Sequence, residues 1–240
     1  MYFLVKFVTP EYTSSLLEGE LFFKRNEYFI ELEEEKNDRV IGDRREGSWS
    51  RPLNTNNKKY FVSIKDEEKM YHINITRGAV HKQYEDLKNV PICCFTLLSL
   101  EEDFDKVSDN TFKIKDGVIE QFSKEFEDRN VFIFQLLEFM NCIKDYCEKN
   151  KIPMKANKVT YYDEFSEIHP LSEKEFRDNP INTLFHKRSS YSSQKEYRII
   201  LPGNYEEDQT LKIERLKERI EVFTISNLES LTFLTTVDKI

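Results

Sequence analysis

Residues 89–100 read NVPICCFTLLSL, and the run from 92 to 98 contains no charged side chain. A strand with one wet face alternates apolar and polar residues. One without that interruption is covered on both faces and lies inside a sheet. This run therefore predicts a central strand. Outward from it, YFLVKFV (2–8) reads as a second buried strand, and Thr9-Pro10 then supplies an N-cap and an N1 proline for a short helix ending near Gly19. LFFK (21–24) is the next strand, and residues 26–35 form a short helix with one apolar face. KYFVSI (59–64) and MYHINIT (70–76) alternate and are rich in aromatic and β-branched residues, as expected of two hairpin arms turning through 65–69.

Further along, TFKIK (111–115) turns at Asp116-Gly117 into a helical patch over 119–126. Within VFIFQLLEFMNCIKDYCEKNK, Leu136, Leu137, Met140, Ile143 and Tyr146 or Cys147 recur at helical spacing. KVTYYDEF (158–165) reads as a strand, and residues 172–184 as a helix interrupted before Pro180. EYRIIL, TLKIERL and RIEVFTI predict a strand-rich C-terminal third. Helices and strands mix without a βαβ rhythm, so the expected class is α+β: a mixed, mostly antiparallel twisted sheet with flanking helices. The expectation is one domain over 1–240, with a charged, turn-rich loop at about 36–58.

Composition narrows the function classes. The 240 residues include 19 Phe and 12 Tyr, so rings carry the apolar volume. A formal net charge of -8 argues against broad adhesion to a phosphate backbone, leaving nucleic acid only as an acceptor. No window approaches the roughly 18 apolar residues of a membrane span. Met1 leads directly into YFLVKFV with no basic leader, so a cytoplasmic protein without membrane partners is expected. Cys93-Cys94 and Cys142/Cys147 lack zinc spacing and read as reduced core thiols. The six glycines form neither a dinucleotide nor a P-loop pattern.

The strongest chemical candidate is SSYSSQKEYRIILPG (189–203). If a strand begins at Glu196, alternation places Gln194, Glu196 and Arg198 on one face, with Lys195 and Tyr197 on the other. Such a row suits sugar transfer: paired side chains hold a ribose hydroxyl while the carboxylate stabilises oxocarbenium character at the anomeric carbon. The plainer reading is a same-face ion pair between Glu196 and Arg198. A second candidate is the loop from Arg39 to Ser50, whose GDRREGSW offers Arg44 and Arg45 as forks for a pyrophosphate. The alternative there is a solvated loop whose charges pair internally, with Trp49 as its anchor. A third reading is a metal-dependent nuclease built on Glu67-x-Lys69 with Asp43 or Glu46, although DEEK more naturally forms a hairpin tip. The scattered histidines make no metal site; His186-Lys187-Arg188 is placed to steer a phosphate, or is a basic surface turn.

Cys94-Phe95-Thr96, Val159-x-Tyr161, Phe185-x-Lys187 and Gln194-x-Glu196-Tyr197-Arg198 together resemble a bacterial and phage family long catalogued as a domain of unknown function. Leu4-Val5-Lys6-Phe7 and Leu21-Phe22-Phe23 extend the resemblance over roughly residues 1 to 201, while the family's Asn-Asp-Pro and Leu-Met-Trp segments are missing. The C-terminal segment is also similar to the Q/E-x-E strand of ADP-ribosyltransferases. That similarity implies a related fold, with NAD as cofactor. Glu196 would be the catalytic acid and Gln194 its partner. Lys6, Arg25, Arg44, Arg45, Arg198 and His186 would hold the dinucleotide, with Ser63 or Thr96 as the middle-strand hydroxyl. The implied setting is phage–host conflict or a toxin system. The competing expectation is a non-catalytic module that grips a protein partner.

Overall fold

A computed structural model of the chain describes residues 1–36, 38, 41–53, 60–66, 69–75, 77–218 and 220–235. The chain divides into two compact units, one made of Met1–Arg25, Val90–Lys158 and Lys195–Ile240, the other of Asn26–Asn89 and Val159–Gln194. The class is α+β, and every strand pairing but one is antiparallel among the described residues.

The first unit is built on an eight-stranded sheet. Its central strand is Pro91–Ser99, as the uninterrupted apolar run predicts. This strand pairs with Tyr2–Val8, with Glu196–Ile200 and, at its start, with Glu20–Arg25. Lys155–Lys158 continues the sheet beyond Glu196–Ile200, and Asn130–Gln135 followed by Val222–Phe223 continues it beyond Tyr2–Val8. Gln209–Lys212 pairs with Glu20–Arg25.

Both faces of the sheet are covered. On one, Leu4, Cys93, Phe95, Phe132 and Ile199 pack with Phe139, Cys142, Ile143 and Cys147 of the helix Leu136–Asn150. On the other, Val5, Leu98 and Val131 pack with Ile119 and Phe122 of the helix Asp116–Phe126, and with Phe104, Ile114, Ile225 and Leu228. At roughly 1.5 to 3 kcal/mol per fully buried large apolar side chain, these two layers are the main source of the unit's stability. All four cysteines are free thiols, three of them buried.

Two sequence expectations are corrected here. VFIFQ is a strand rather than the start of the helix, because the apolar positions change from period two to helical spacing only at Leu136. The Gln135 side chain then caps the helix by accepting from the Glu138 N–H at 2.7 Å. The C-terminal third is less strand-rich than expected. Leu211 and Ile213 lie in a strand and the connection after it, but Leu216 is reached by the short helix Glu214–Lys217, and among the described residues of RIEVFTI only Val222–Phe223 is a strand.

The second unit holds the helix Asn26–Lys36 and two antiparallel ribbons, Trp49–Pro52 with Ala79–Lys82 and Tyr60–Asp66 with Lys69–Ile75. It also holds the single parallel pair, Thr160–Tyr162 with His186–Arg188. KVTYYDEF is therefore not one strand, since Lys155–Lys158 and Thr160–Tyr162 belong to different sheets. The helix Glu173–Asp178 starts at a capping box formed by Ser172 and Glu175, and ends before Pro180 as predicted. No described helix is long and apolar enough to cross a membrane.

Among the described residues of the charged loop, several are interior rather than solvated. Asp43, Glu46, Ser48, Trp49 and Ser50 are all buried. Trp49 is its anchor: the indole N–H donates to the Leu171 carbonyl at 2.9 Å, and the ring stacks on Phe176 with centroids 6.0 Å apart. Gly47 sits at φ +70°, where a Cβ would lie 2.9 Å from Leu184 Cδ2, so this turn requires glycine on both counts.

Candidate functional site

The sheet register fixes the environment of Glu196. It faces Thr96 across the ladder, and Arg198 faces Cys94, so both point to the same side of the sheet. The expected row of three is broken at its first member. Lys195 adopts φ +46°, which ends the alternation, and Gln194 belongs to the 3-10 turn Ser189–Gln194 rather than to the strand. Its side-chain carbonyl accepts from Lys187 Nζ at 2.8 Å. Lys187 is itself buried, with its ammonium over the Tyr191 ring. Lys195 pairs with Asp103, and Tyr197 packs into the core on the opposite side of the sheet.

Glu196 Oε2 accepts from Arg198 Nε at 2.6 Å, with side-chain exposures of only 10% and 2%. Pairing offsets part of the desolvation cost of both ions, and removing either partner would leave the other charge buried. The carboxylate is thereby committed to an intramolecular partner.

Lys6 and Arg25 lie on the other face. Lys6 is opposite Phe132 and shares its row with Leu4 and Val8. Its ammonium donates to the Cys94 carbonyl at 2.9 Å, sits 3.3 Å from Cys93 Sγ and lies over the Phe95 ring. Burial pushes the Cys93 thiol up, against the pull of Lys6. Arg25 shares the row of Leu21 and Phe23, and its backbone N–H donates to Asp208 at 2.9 Å. Neither residue shares the side of the sheet that carries Glu196, so the expected dinucleotide cradle is not assembled from them.

In the second unit Asp43 of the loop meets Glu33 and Tyr191 around Arg188. Its Nη2 donates to Glu33 Oε2 and Asp43 Oδ1, each at 2.6 Å, and to the Tyr191 hydroxyl at 3.1 Å, with Glu164 at 3.9 Å. Glu33 also accepts from the Arg44 N–H at 2.7 Å. Burial works to raise the Glu33 pKa, but the Arg44 N–H and the Arg188 guanidinium outweigh it and hold the carboxyl below its usual range. Burial pushes Glu164 up. It raises Tyr191 as well, reinforced by Asp43, and takes Tyr162 to about 12.

Two histidines of this unit are driven toward the neutral form. Burial, then Arg45 and Arg188, lower His81 to about 4. Burial, then His186, lower His169 to about 3. His169 Nδ1 accepts from the Leu171 N–H at 3.0 Å, and His186 Nδ1 contacts the Asn182 carbonyl at 3.0 Å. Arg44 and Arg45 themselves are exposed. The sequence named Arg188 only as part of a basic turn. Its role follows from acids, Glu33 and Asp43, that lie more than 140 positions away along the chain.

Among the described residues no group of three or more His, Cys, Asp or Glu is arranged to hold a metal. Glu67, the acid of the nuclease reading, lies outside the described residues, as do Arg39 and residues 54–59 of the loop. A cleft of about 540 Å³ beside the helix Asp116–Phe126 is lined by Asp116, Glu120, Glu127 and Glu229, with Lys124 as its one cation, a poor setting for a pyrophosphate.

The ribbon of the second unit is built differently from all of these. Its register pairs Tyr60 with Ile75, Val62 with Ile73 and Ile64 with Tyr71, which places all six on one face. Val62, Ile64, Tyr71 and Ile73 are 48%, 48%, 49% and 53% exposed. Phe61 and Met70, on the reverse face, are each 58% exposed. Ser63, which the transferase resemblance would place as a middle-strand hydroxyl, is on that reverse face and bonds His72 Nδ1 at 3.0 Å. No protein-family model, curated protein or solved structure matches this chain.

Proposed function

We propose that this chain is a binding module that engages a protein partner through the ribbon Tyr60–Ile75. The observation that carries this reading is the ladder of two apolar cross-strand pairs, Val62 with Ile73 and Ile64 with Tyr71, left open to solvent on one face. A regular array of exposed apolar side chains is a surface kept for an interaction. Glu196 and Arg198 instead pair with each other, and Gln194 accepts from Lys187, each within its own unit. The test is direct: Val62→Thr with Ile73→Thr leaves the urea midpoint within about 0.5 kcal/mol of the parent, because exposed positions carry little packing. The same change reduces binding of an apolar-surface dye such as ANS. Undiminished dye binding contradicts the reading.

A second reading, an NAD-using ADP-ribosyltransferase-like protein, is favoured by the pairing of Glu196 with Thr96, which sets a hydroxyl beside the acid. The two readings differ over Glu196. As one half of a buried pair, its loss leaves Arg198 without that carboxylate, and Glu196→Ala costs about 3 kcal/mol or more. Combining Glu196→Ala with Arg198→Met recovers most of that loss, a coupling seen in a double-mutant cycle by urea unfolding. As a catalytic acid alone, Glu196→Ala removes NAD turnover with little loss of stability.

A further inference from the structure

We infer that the end strand Lys155–Lys158 of the eight-stranded sheet is a docking edge for an acid-rich extended segment of a partner protein, taken up as a further strand. The edge belongs to the first unit and does not depend on the ribbon of the second.

Topology supplies the edge. Lys155–Lys158 pairs with Glu196–Ile200, from Lys155 opposite Ile200 to Lys158 opposite Tyr197, and has no described strand on its other side. The outward N–H and C=O groups of an end strand have no ladder partner, and an extended peptide satisfies them. Asn157 and Lys158 are exposed, so this end of the edge is open to solvent. Beside it Ile152, Met154, Ala156 and Tyr197 are only partly buried against the core, which leaves apolar surface for the apolar side chains of an incoming strand.

Charge selects the occupant. Residues 149–158 contain four lysines and no acid, in a chain with 44 Asp and Glu against 36 Lys and Arg. Lys149, Lys151 and Lys158 are exposed and form no ion pair among the described residues. Lysines on an end strand repel the same edge of a second copy and attract an acidic strand. Lys155 and Lys158 project from opposite faces of the strand, so acids three positions apart in the incoming segment meet one lysine on each face. A nucleic acid answers the charge but not the edge. Its phosphates are acceptors only and leave the outward carbonyls without donors, and the net charge of -8 opposes a polyanion.

Length sets the strength. Four residues form few ladder bonds, so the complex is weak, leans on the lysines and loosens as salt rises.

Fluorescence anisotropy of a labelled peptide of three Glu-Val-Thr repeats, titrated with the chain, tests this. Half-saturation below about 1 mM is expected at ~0.02 M NaCl, weakening about fivefold or more at ~0.3 M. Lys158→Glu weakens binding about fivefold or more with an unchanged circular dichroism spectrum. Lys174→Glu, the same charge change at an exposed lysine of the other unit, leaves it within about twofold. The same peptide N-methylated at every residue keeps its charge, loses its donors and binds about fivefold more weakly or worse. No binding of the parent peptide, equal binding of its N-methylated form, undiminished binding by Lys158→Glu, or an equal loss in Lys174→Glu overturns the inference. So does tighter binding of a labelled uridine oligonucleotide of the same length. The ribbon stands or falls separately, on its dye test.

Discussion

Arg188→Ala is expected to destabilise the second unit by about 3 to 5 kcal/mol, the usual cost of removing one partner from a buried charge cluster. The guanidinium contacts Glu33 and Asp43 at 2.6 Å, and those carboxylate side chains are 5% and 1% exposed. Without it, two desolvated anions face each other with Glu164 close by, and the Tyr191 hydroxyl loses a donor. Arg44, 3.9 Å from Glu33, is half exposed, so solvent screens much of its help. Arg188→Lys retains the charge but loses the fork that reaches both acids, and an intermediate loss is expected. Equilibrium urea unfolding reads both. An Arg188→Ala variant within about 1 kcal/mol of the parent would show that the cluster does not hold the loop.

The same unit is expected to be labile to mild acid. His81 and His169 have folded-state values of about 4 and about 3, below the ordinary 6.5, so the fold requires both rings neutral. The unfolded chain takes up protons that the fold refuses. Their contribution is complete above pH 6.5, declines as pH falls, and is fully lost once pH passes the folded values. Each histidine contributes a slope of up to ~1.4 kcal/mol per pH unit within its window. Glu33, held below its usual range, acts in the same direction at lower pH, and Glu164, held above, opposes it. Urea midpoints at neutral pH and at two acidic values should show the decline. His169→Phe removes one proton from the slope and makes it shallower. A stability that is flat between neutrality and the folded value of His81 would contradict the assignment of buried neutral rings.

What the sequence made legible follows from the range of the forces involved. The central strand was readable from residues 92–98 because burial on both faces leaves its mark along a single segment. The ribbon was readable because its arms alternate and lie close in sequence. VFIFQ was hidden because its apolar run continues without punctuation into the helix beginning at Leu136.

The site was less accessible for a related reason. Alternation correctly placed Glu196 and Arg198 on one face, but one left-handed residue, Lys195, moved Gln194 out of the row, and nothing in the local pattern marks a positive φ at a lysine. That Lys6 lies on the opposite side of the sheet from Glu196 depends on the register among three strands far apart in sequence. The cluster around Arg188 depends on pairings across more than 100 positions, which composition alone does not encode.

The central claim is that Glu196 belongs to a buried ion pair in a protein that engages a protein partner and does not consume NAD. Incubating the purified chain with NAD and quantifying free nicotinamide by mass spectrometry tests it most directly. No nicotinamide above the protein-free blank is expected, from the parent chain and from Glu196→Gln alike. Nicotinamide released by the parent and abolished in Glu196→Gln would contradict it.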